Sequence, residues 1–425
     1  MSSTRSEPLA LVDCNNFYVA CERLFQPRLH GRAVAVLSNN DGCVVARSPE
    51  LKALGVPMGA PAHQYRALFA REGVVVLSSN YALYGDMSAR VMTVLRQRAP
   101  AIEVYSIDEA FLDLSGIAEP TAYARELAAT LYRWTGIPVS IGLGPSKVLA
   151  KVANRIAKHR ATPERTWTLL ERSAQTAALR ELPLTALWGI ARRWAARLEA
   201  FGIRTALDLR EADPAPLRRH FGSVLEKLHH ELNGVSCLAL DQVPVPRKQI
   251  IASRSFGQPL VTLDAILPMV AEHVSRAAVR LRAQGSVAGA LGVCLHTNRF
   301  AERAQYHARR FLALDPPTAD TARLVAAAVA LVRDLYRPGY AYAKAGVELI
   351  DLRAGERAQQ ALFGAGDPPR RRRLMTALDT INTRFGRGTL RTAREGYDKP
   401  GRMRRERLSP AWTTCWEELP VVRAR

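Results

Sequence analysis

AIEVYSIDEAFLDL, at residues 101–114, consists of two short apolar segments separated by a connection that contains the acidic pair Asp108 and Glu109. Apolar residues of strand-forming type on both sides of a short connection predict a β-hairpin. A buried carboxylate is costly unless a cation or hydrogen-bond donors compensate it. The two acids are therefore either solvated loop residues or groups that bind something positive.

Residues 9–13, LALVD, form a short apolar segment that ends in a third carboxylate, Asp13. An Asp at the end of a strand often caps the following helix, but it can also ligate a metal above the sheet. Carboxylates that converge at one edge of a sheet repel one another unless divalent cations neutralise them. Mg²⁺ is the usual cation where phosphates supply the remaining oxygens.

The order of the predicted elements brings these acids together. A strand, a helix, the hairpin, a helix and a further strand form the βαββαβ arrangement of a ferredoxin-like sheet with two covering helices. In that topology the first strand and the hairpin are central neighbours, so Asp13 lies near Asp108 and Glu109. The other predicted elements of this arrangement are helices at 85–98, 123–134 and 148–158 and a strand at 139–144.

Between the first strand and the first of these helices, the pattern predicts strands at 33–37 and 74–77 and a helix that ends near Gly55. Arg47 and Lys52 lie at the start of that helix. They could hold a triphosphate, aided by the helix dipole, but a solvated basic helix start has the same spacing.

The chain of 425 residues is strongly basic, with 60 Lys and Arg against 39 Asp and Glu and a formal net charge of +21. This excess favours a polyanionic partner, either nucleic acid or an anionic membrane. No apolar run approaches the ~18 residues of a spanning helix, and the first residues lack the apolar core of a secretion signal. The six cysteines show no zinc spacing, which indicates reduced thiols. We therefore expect a cytoplasmic protein that binds nucleic acid and no membrane.

Five segments together resemble the Y-family translesion DNA polymerases, and SNNDGCV within them is typical of the UmuC branch. They are DCNNFY at 13–18, SNNDGCVVAR at 38–47, SSNYALYGDMS at 78–88, YSIDEAFLDL at 105–114 and GLGPSKVLAKVAN at 142–154.

The resemblance implies an α+β multidomain chain with the architecture of a right-hand polymerase. The implied parts are a ferredoxin-like palm (1–16 and 81–166), small fingers (17–80), a helical helix-hairpin-helix thumb (167–241), a linker (242–249), an α+β little finger (250–352) and a basic C-terminal tail (353–425).

The resemblance also implies the catalytic groups. Asp13, Asp108 and Glu109 would be the catalytic carboxylates and, with the Cys14 carbonyl, would bind two Mg²⁺ ions. Two ions between charged reactants activate a primer hydroxyl and stabilise the leaving pyrophosphate.

Aromatic residues beside the first strand are implied to contact the incoming dNTP. Tyr18 matches the position of the family's steric gate against the ribose 2′-hydroxyl, and Phe17 would pack under the sugar or base. An ordinary aromatic residue covering the sheet is the alternative interpretation of Tyr18.

Lys52 and Lys158 match basic residues that contact the triphosphate. Pro49 departs from the pattern, because many Y-family enzymes have a phosphate-contacting tyrosine there, and Arg47 is a possible substitute.

The DNA contacts implied by the resemblance are spread over two segments. Gly189 and Arg192 belong to a hairpin that would aim backbone N–H groups at a DNA phosphate, unless it is a generic helical turn. Ala191 replaces the usual second glycine and would be strained if that position requires a positive φ.

In the little finger, strands near 250–255, 288–297 and 344–352 and helices near 263–283 and 318–335 are predicted. Arg254 and Arg299 are its candidate phosphate contacts, although a solvated face would have the same residues.

The tail contains Gln359, Leu362 and Phe363, which resemble a peptide that docks into the sliding clamp. From Arg370 on, 15 Lys and Arg stand against 6 Asp and Glu. The resemblance suggests docking of a UmuD′-like dimer and dependence on RecA. A partly disordered basic tail that adds DNA affinity is the alternative.

The resulting hypothesis is a DNA-templated DNA polymerase of low fidelity that acts on a primer-template in the SOS response and is associated with the nucleoid. A non-catalytic DNA-binding scaffold of the same fold and a two-metal nuclease are the alternatives. The intact carboxylate set argues against the scaffold, and the steric-gate tyrosine and the thumb argue against the nuclease.

Overall fold

The computed structural model describes residues 7–160, 165–241, 246–355, 367–397 and 401–421. Its contacts divide the chain into two compact units. The first comprises Met1–Ser38, Gly42–Pro244 and Arg407–Arg425, and the second comprises Asn39–Asp41 and Val245–Glu406. The chain therefore returns to the first unit after it has formed the second.

The first unit contains two sheets and a series of helices. Its strands are β1 (Leu9–Cys14), β2 (Val34–Leu37), β3 (Val44–Arg47), β4 (Val75–Ser78), β5 (Ala101–Val104), β6 (Glu109–Asp113), β7 (Val139–Gly144) and β8 (Thr166–Thr168). Its helices are α1 (Phe17–Phe25), α2 (Pro49–Ala53), α3 (Arg66–Arg71), α4 (Tyr81–Arg98), α5 (Pro120–Thr135), α6 (Lys147–His159), α7 (Arg172–Arg180), α8 (Arg192–Ala200), α9 (Ala206–Glu211), α10 (Pro214–Phe221) and α11 (Ser223–Leu232).

The larger sheet has the order β5-β6-β1-β7-β8. The first four strands pair antiparallel, as in the predicted ferredoxin-like arrangement, and β8 adds to β7 in parallel. Every residue of β1 and β7 is buried, which explains why both strands are apolar without alternation. The predicted hairpin is therefore confirmed as β5 and β6, with β1 as its inner neighbour.

A smaller sheet with the order β3-β2-β4 lies in the segment predicted as fingers. Its core is formed by a few aliphatic residues and Phe69. α2 begins with Pro49, a favoured first helical residue, and the Ser48 hydroxyl accepts a hydrogen bond from the Leu51 N–H.

The segment predicted as thumb is helical from α7 to α11. A 3₁₀ turn, Leu184–Ala186, precedes α8. Gly189 has a φ of +88°, whereas Ala191 has a φ of −91° and a ψ of 173°. Ala191 is thus in extended backbone, and the strain that its replacement of glycine would have caused does not arise.

The second unit is an antiparallel four-stranded sheet with the order β11-β10-β12-β9. The helix predicted at 263–283 has the same bounds in the structure, whereas β11 was missed by the sequence analysis. The elements are β9 (Ile250–Leu260), α12 (Leu263–Ala283), β10 (Ser286–Thr297), β11 (His307–Thr318), α13 (Thr321–Leu335), β12 (Tyr342–Ala354) and α14 (Pro369–Arg384).

The start of the predicted tail is packed within the second unit. In α14, Arg371 contacts Asp320 at 2.7 Å, and Asp379 contacts Arg282 of α12 at 2.7 Å through two hydrogen bonds. Met375 is buried between these ion pairs. The predicted clamp-binding residues Gln359, Leu362 and Phe363 lie outside the described residues.

No helix within the described part of the chain is both long enough and apolar enough to cross a membrane.

The close packing of α6 on β7 requires glycine at position 142. A Cβ at Gly142 would lie less than 3.0 Å from the Asn154 backbone nitrogen and the Ala150 carbonyl oxygen. We expect Gly142→Ala to lower the free energy of unfolding by about 3 kcal/mol, measured by urea denaturation. Gly85 in α4 is the matched control, because a Cβ there meets nothing within 4 Å. Gly85→Ala is expected to raise stability by about 0.5–1 kcal/mol. Equal stability of Gly142→Ala and the parent would contradict the packing argument.

Candidate active site

Three carboxylates lie at one end of the central strand pair. Asp13 is directly opposite Glu109 in the antiparallel register of β1 and β6. The Cys14 N–H donates to the Asp108 carbonyl at 2.9 Å, which places the turn residue beside the end of β1. The structure therefore brings together Asp13, Cys14, Asp108 and Glu109, all of which the sequence analysis singled out.

Ser106 organises the turn that carries two of these acids. Its hydroxyl oxygen accepts hydrogen bonds from the backbone N–H groups of Asp108, at 3.2 Å, and Glu109, at 3.0 Å. The hydroxyl donates to the Asp108 carboxylate at 2.6 Å. This local side-chain capping holds the turn and orients the Asp108 side chain.

Two lysines of α6 compensate the negative charge. Lys158 forms an ion pair with Asp13, and the Lys151 ammonium lies 3.0 Å from the Glu109 carboxylate. Lys151 also lies over the aromatic rings of Tyr105, at 4.6 Å, and Trp188, at 5.3 Å. These cation–π contacts hold the ammonium beside Glu109.

Lys151 was not among the predicted site residues. Lys147, Lys151 and Lys158 follow one another at spacings of four and seven residues, which places them on one face of a helix. That spacing is the signal from which the second ammonium could have been inferred.

Burial has the largest effect on the pKa of Asp13. Asp13 is 6% exposed, and its burial raises the pKa of this carboxyl to about 7. The Lys158 ammonium opposes this shift, whereas Glu109 adds to it. Burial, followed by the charges of Asp13 and Asp108, also raises the pKa of the Cys14 thiol well above its usual value. Additional positive charge at this site would stabilise the ionised acids.

Among the described residues, no group of three or more His, Cys, Asp or Glu side chains has the geometry of a metal site. The chemistry of the donors nevertheless fits Mg²⁺, which prefers carboxylate and carbonyl oxygens. Asp13 has a raised pKa and lies opposite Glu109, which indicates that the cluster lacks positive charge. A divalent cation would supply that charge.

A group of cations faces the acids. Lys52 of α2 donates to the Asn16 side chain at 2.5 Å, and its pKa is lowered by burial and by the positive charges of Arg47 and Lys158. Arg47 donates to the Val56 carbonyl at 2.5 Å, and its buried Nε has no hydrogen-bond partner among the residues that the structure describes. Because these cations destabilise one another, an anion between them would be favoured.

Tyr18 lies beside the acidic cluster. Its ring stacks on Tyr84, with centroids 4.3 Å apart and planes at 14°. Its pKa is raised by burial, by Tyr81 and by the charge of Asp108, so its hydroxyl is within electrostatic reach of the carboxylates. Phe17 is buried in the core, so it can affect the site only by packing beneath it.

The predicted DNA contacts differ in their surroundings. Arg192 is the exposed first residue of α8, three residues after Gly189. Arg299 is exposed, with its guanidinium over the Phe300 ring at 4.6 Å. Arg254 is half-buried and lies two residues from buried Ala252, so both side chains are on the same face of β9.

The other face of the second unit's sheet also carries a cation that the sequence analysis did not assign. Lys344 is opposite Ser255 in the β12–β9 register, and Ser255 is exposed. The opposite face of this sheet packs on helices, so Lys344 lies on the open face.

The sequence matches the impB/mucB/samB family over residues 12–155 and the C-terminal domain of that family over residues 247–362. A domain of unknown function, DUF4113, matches residues 372–422. Protein SamB of Salmonella typhimurium is 41% identical over 423 residues, which cover 97% of this chain and 99% of SamB. The chain belongs to the impB/mucB/samB family.

Further comparisons extend this family assignment. Protein UmuC of Salmonella typhimurium is 40% identical, with 97% of this chain and 100% of UmuC covered. DNA polymerase IV of Pelotomaculum thermopropionicum is 29% identical, with coverage of 89% and 93%. The predicted resemblance to the UmuC branch of the Y family is thereby confirmed.

A solved Y-family DNA polymerase chimera of Dbh and Dpo4 matches this impB/mucB/samB chain with a TM-score of 0.66 and 20% sequence identity, covering 81% of this chain and 99% of the chimera. The likeness confirms the predicted fold class, an α+β chain of the right-hand polymerase type.

The charges around Asp13 make opposite predictions for two substitutions. Lys158→Met removes a positive charge and is expected to raise the Asp13 pKa further above about 7, whereas Glu109→Gln removes a negative charge and is expected to lower it. The measurement is the ¹³C shift of the labelled carboxyl against pH in the presence of EDTA. Lys158→Arg is the charge-conserving control. Shifts of the same sign in the Met and Gln variants would contradict this electrostatic account.

Proposed function

We propose that this protein is a DNA-templated DNA polymerase of low fidelity that carries out translesion synthesis in the SOS response. The observation that carries the proposal is the contact between an acidic and a basic cluster at the end of the sheet. Asp13 is opposed to Glu109 and forms an ion pair with Lys158. Burial and the charges of Arg47 and Lys158 lower the pKa of Lys52. Family membership supports the same reaction class.

Asp13, Asp108, Glu109 and the Cys14 carbonyl would hold two Mg²⁺ ions. When bound, the ions supply the positive charge that lowers the pKa of a primer 3′-hydroxyl and stabilises the leaving pyrophosphate. Asp13 and Asp108 would both be ligands in this site. Ser106 supports this role because its hydroxyl fixes the Asp108 carboxylate before any substrate is present.

The cations have separate roles in this proposal. Lys52, Lys158 and Arg47 bind the triphosphate oxygens, which supply the anion that the cluster favours. Lys151 remains on Glu109, since its ammonium is held by the Tyr105 and Trp188 rings as well as by the carboxylate. It therefore keeps the Glu109 carboxylate oriented.

Low fidelity follows from the limited size of the fingers. The small sheet β3-β2-β4 and the short helices α2 and α3 offer little surface to press against a nascent base pair. Discrimination that depends on contact is weak where contact is small. Damaged template bases would then be tolerated.

The proposed macromolecular partners begin with a DNA primer-template. Gly189 and Arg192 would approach one phosphate backbone, and Arg254, Arg299 and Lys344 would contribute contacts from the second unit. A UmuD′-like dimer and RecA are proposed from the family, as is a sliding clamp bound through Gln359, Leu362 and Phe363. These partner assignments remain predictions.

The metal-binding role of Asp108 is tested by primer extension. Asp108→Ala is expected to fold like the parent but to lose primer extension by a factor of about 10³ or more, because one ligand shared by both ions is removed. Exposed Glu126 of α5 provides the control, and Glu126→Ala should extend primers at the parental rate. Extension by Asp108→Ala within tenfold of the parent would refute the assignment. A scaffold would show no extension in any variant, and a nuclease would degrade the primer instead.

Tyr18 is proposed to exclude ribonucleotides. Tyr18→Ala is expected to reduce the ratio of kcat/KM for dNTP to that for rNTP by about tenfold or more, since a steric clash with the 2′-hydroxyl is relieved. Tyr132, an exposed tyrosine of α5, gives the matched control Tyr132→Ala. Single-nucleotide insertion on an undamaged template measures both. An unchanged ratio in Tyr18→Ala would disprove the steric-gate assignment.

A further inference from the structure

The final described segment of the chain, residues 407–421, is attached to the first unit beside the helix that carries Tyr18. The Ser78 N–H donates to the Arg407 carbonyl at 2.9 Å, and the Arg407 N–H donates to the Ser78 hydroxyl at 3.1 Å. Two reciprocal hydrogen bonds thus fix the point at which the segment enters. We call residues 407–412 the returning segment.

Asn80 binds the next residues of the returning segment. Its side-chain amide lies 3.1 Å from the Ser409 carbonyl, 3.0 Å from the Ser409 hydroxyl and 3.1 Å from the Pro410 carbonyl. The amide oxygen of Asn80 accepts from the Leu83 N–H and so caps α4. Asn80 and Ser409 are both buried. One side chain therefore caps α4 and holds the returning segment.

A buried carboxylate of α1 is the next point of attachment. Glu22 is 0% exposed and accepts three hydrogen bonds, from the Tyr84 hydroxyl at 2.7 Å, the Ser409 hydroxyl at 2.9 Å and the Gln26 amide at 3.2 Å. Removing one donor from a buried carboxylate leaves part of its desolvation cost uncompensated. The Ser409 hydroxyl thus helps to stabilise the buried Glu22 side chain.

Trp412 completes the attachment at the end of α1. Its ring stacks on Phe25, with centroids 5.2 Å apart and planes at 14°, and it is 7% exposed. Tyr18, Glu22 and Phe25 are spaced by four and three residues and so share one face of the helix. The returning segment contacts two of these three residues directly.

Tyr84 connects this network to the third residue of that face. Its hydroxyl donates to Glu22, and its ring stacks on Tyr18 at 4.3 Å. Ser409 and Tyr84 donate to the same oxygen of Glu22. The position of the Tyr18 ring therefore depends on Tyr84, whose hydroxyl depends on a carboxylate that the returning segment helps to satisfy.

We propose that Ser409 and Trp412 are positioning residues for Tyr18, so that the end of the chain sets how strictly the active site excludes ribonucleotides. This inference rests on the proposed function of Tyr18 as the steric gate. It assigns a role to part of the segment that matches a domain of unknown function. The returning segment acts through α1 and Tyr84 and does not touch the nucleotide.

The test compares Ser409→Ala and Trp412→Ala with Trp416→Ala in the full chain. Trp416 is the matched control because it lies four residues from Trp412 but is 83% exposed. The dNTP/rNTP ratio of kcat/KM is expected to fall about threefold to tenfold in the first two variants and to stay at the parental value in the control. Primer extension with dNTP should persist in all three, and the conservative Trp412→Phe should restore part of the ratio.

The combination with Tyr18→Ala separates positioning from general loosening of the fold. If the returning segment acts through Tyr18, Ser409→Ala should not change the ratio further once Tyr18→Ala is present. A further fall in the double variant would overturn the inference, as would an unchanged ratio in both Ser409→Ala and Trp412→Ala while Tyr18→Ala lowers it. An unchanged ratio in Tyr18→Ala itself has a different meaning, because it overturns the steric-gate assignment and this inference with it.

Discussion

The opposition of Asp13 and Glu109 across the β1–β6 pair is the constraint on which the first unit of the molecule depends. Two carboxylates at this depth repel each other, and the neighbouring turn adds a third. The compensation comes from α6, which delivers Lys151 and Lys158 from one face. That helix can reach the acids only because it packs closely on β7, where glycine leaves room for its backbone. Balancing the charges of the site therefore requires the close packing of α6 on β7.

The same balance bears on the proposed binding of a polyanionic substrate. The Lys151 ammonium is held by aromatic rings as well as by Glu109, and Lys158 is paired with Asp13. The charges of Arg47 and Lys158 add to burial in lowering the pKa of Lys52. A triphosphate beside Lys52 and Arg47 would relieve this repulsion without disturbing Lys151, which supports the proposed binding role of these two cations.

Sequence patterns were informative wherever a contact is local or follows from topology. The bounds of α12 were predicted because Thr262 caps a long apolar periodicity, and the meeting of Asp13 with Glu109 followed from the strand order. β11 was missed because it is an edge strand that is mostly exposed and contains Pro316. Lys151 shares a helical face with Lys147 and Lys158, but that spacing is also common among solvated lysines. The hydrogen bond between Ser409 and Glu22 joins residues that are 387 positions apart in the sequence, and no local pattern encodes it.

That separation in sequence has a consequence for folding during translation. Ribosomes deliver the chain from its N-terminus, so Glu22 of α1 is made 387 residues before Ser409, which donates a hydrogen bond to it. During elongation, a nascent chain that already contains Asp13, Asp108 and Glu109 therefore holds Glu22 and Phe25 without their native neighbours. The last packing of α1 thus waits until the second unit and the returning segment have been synthesised.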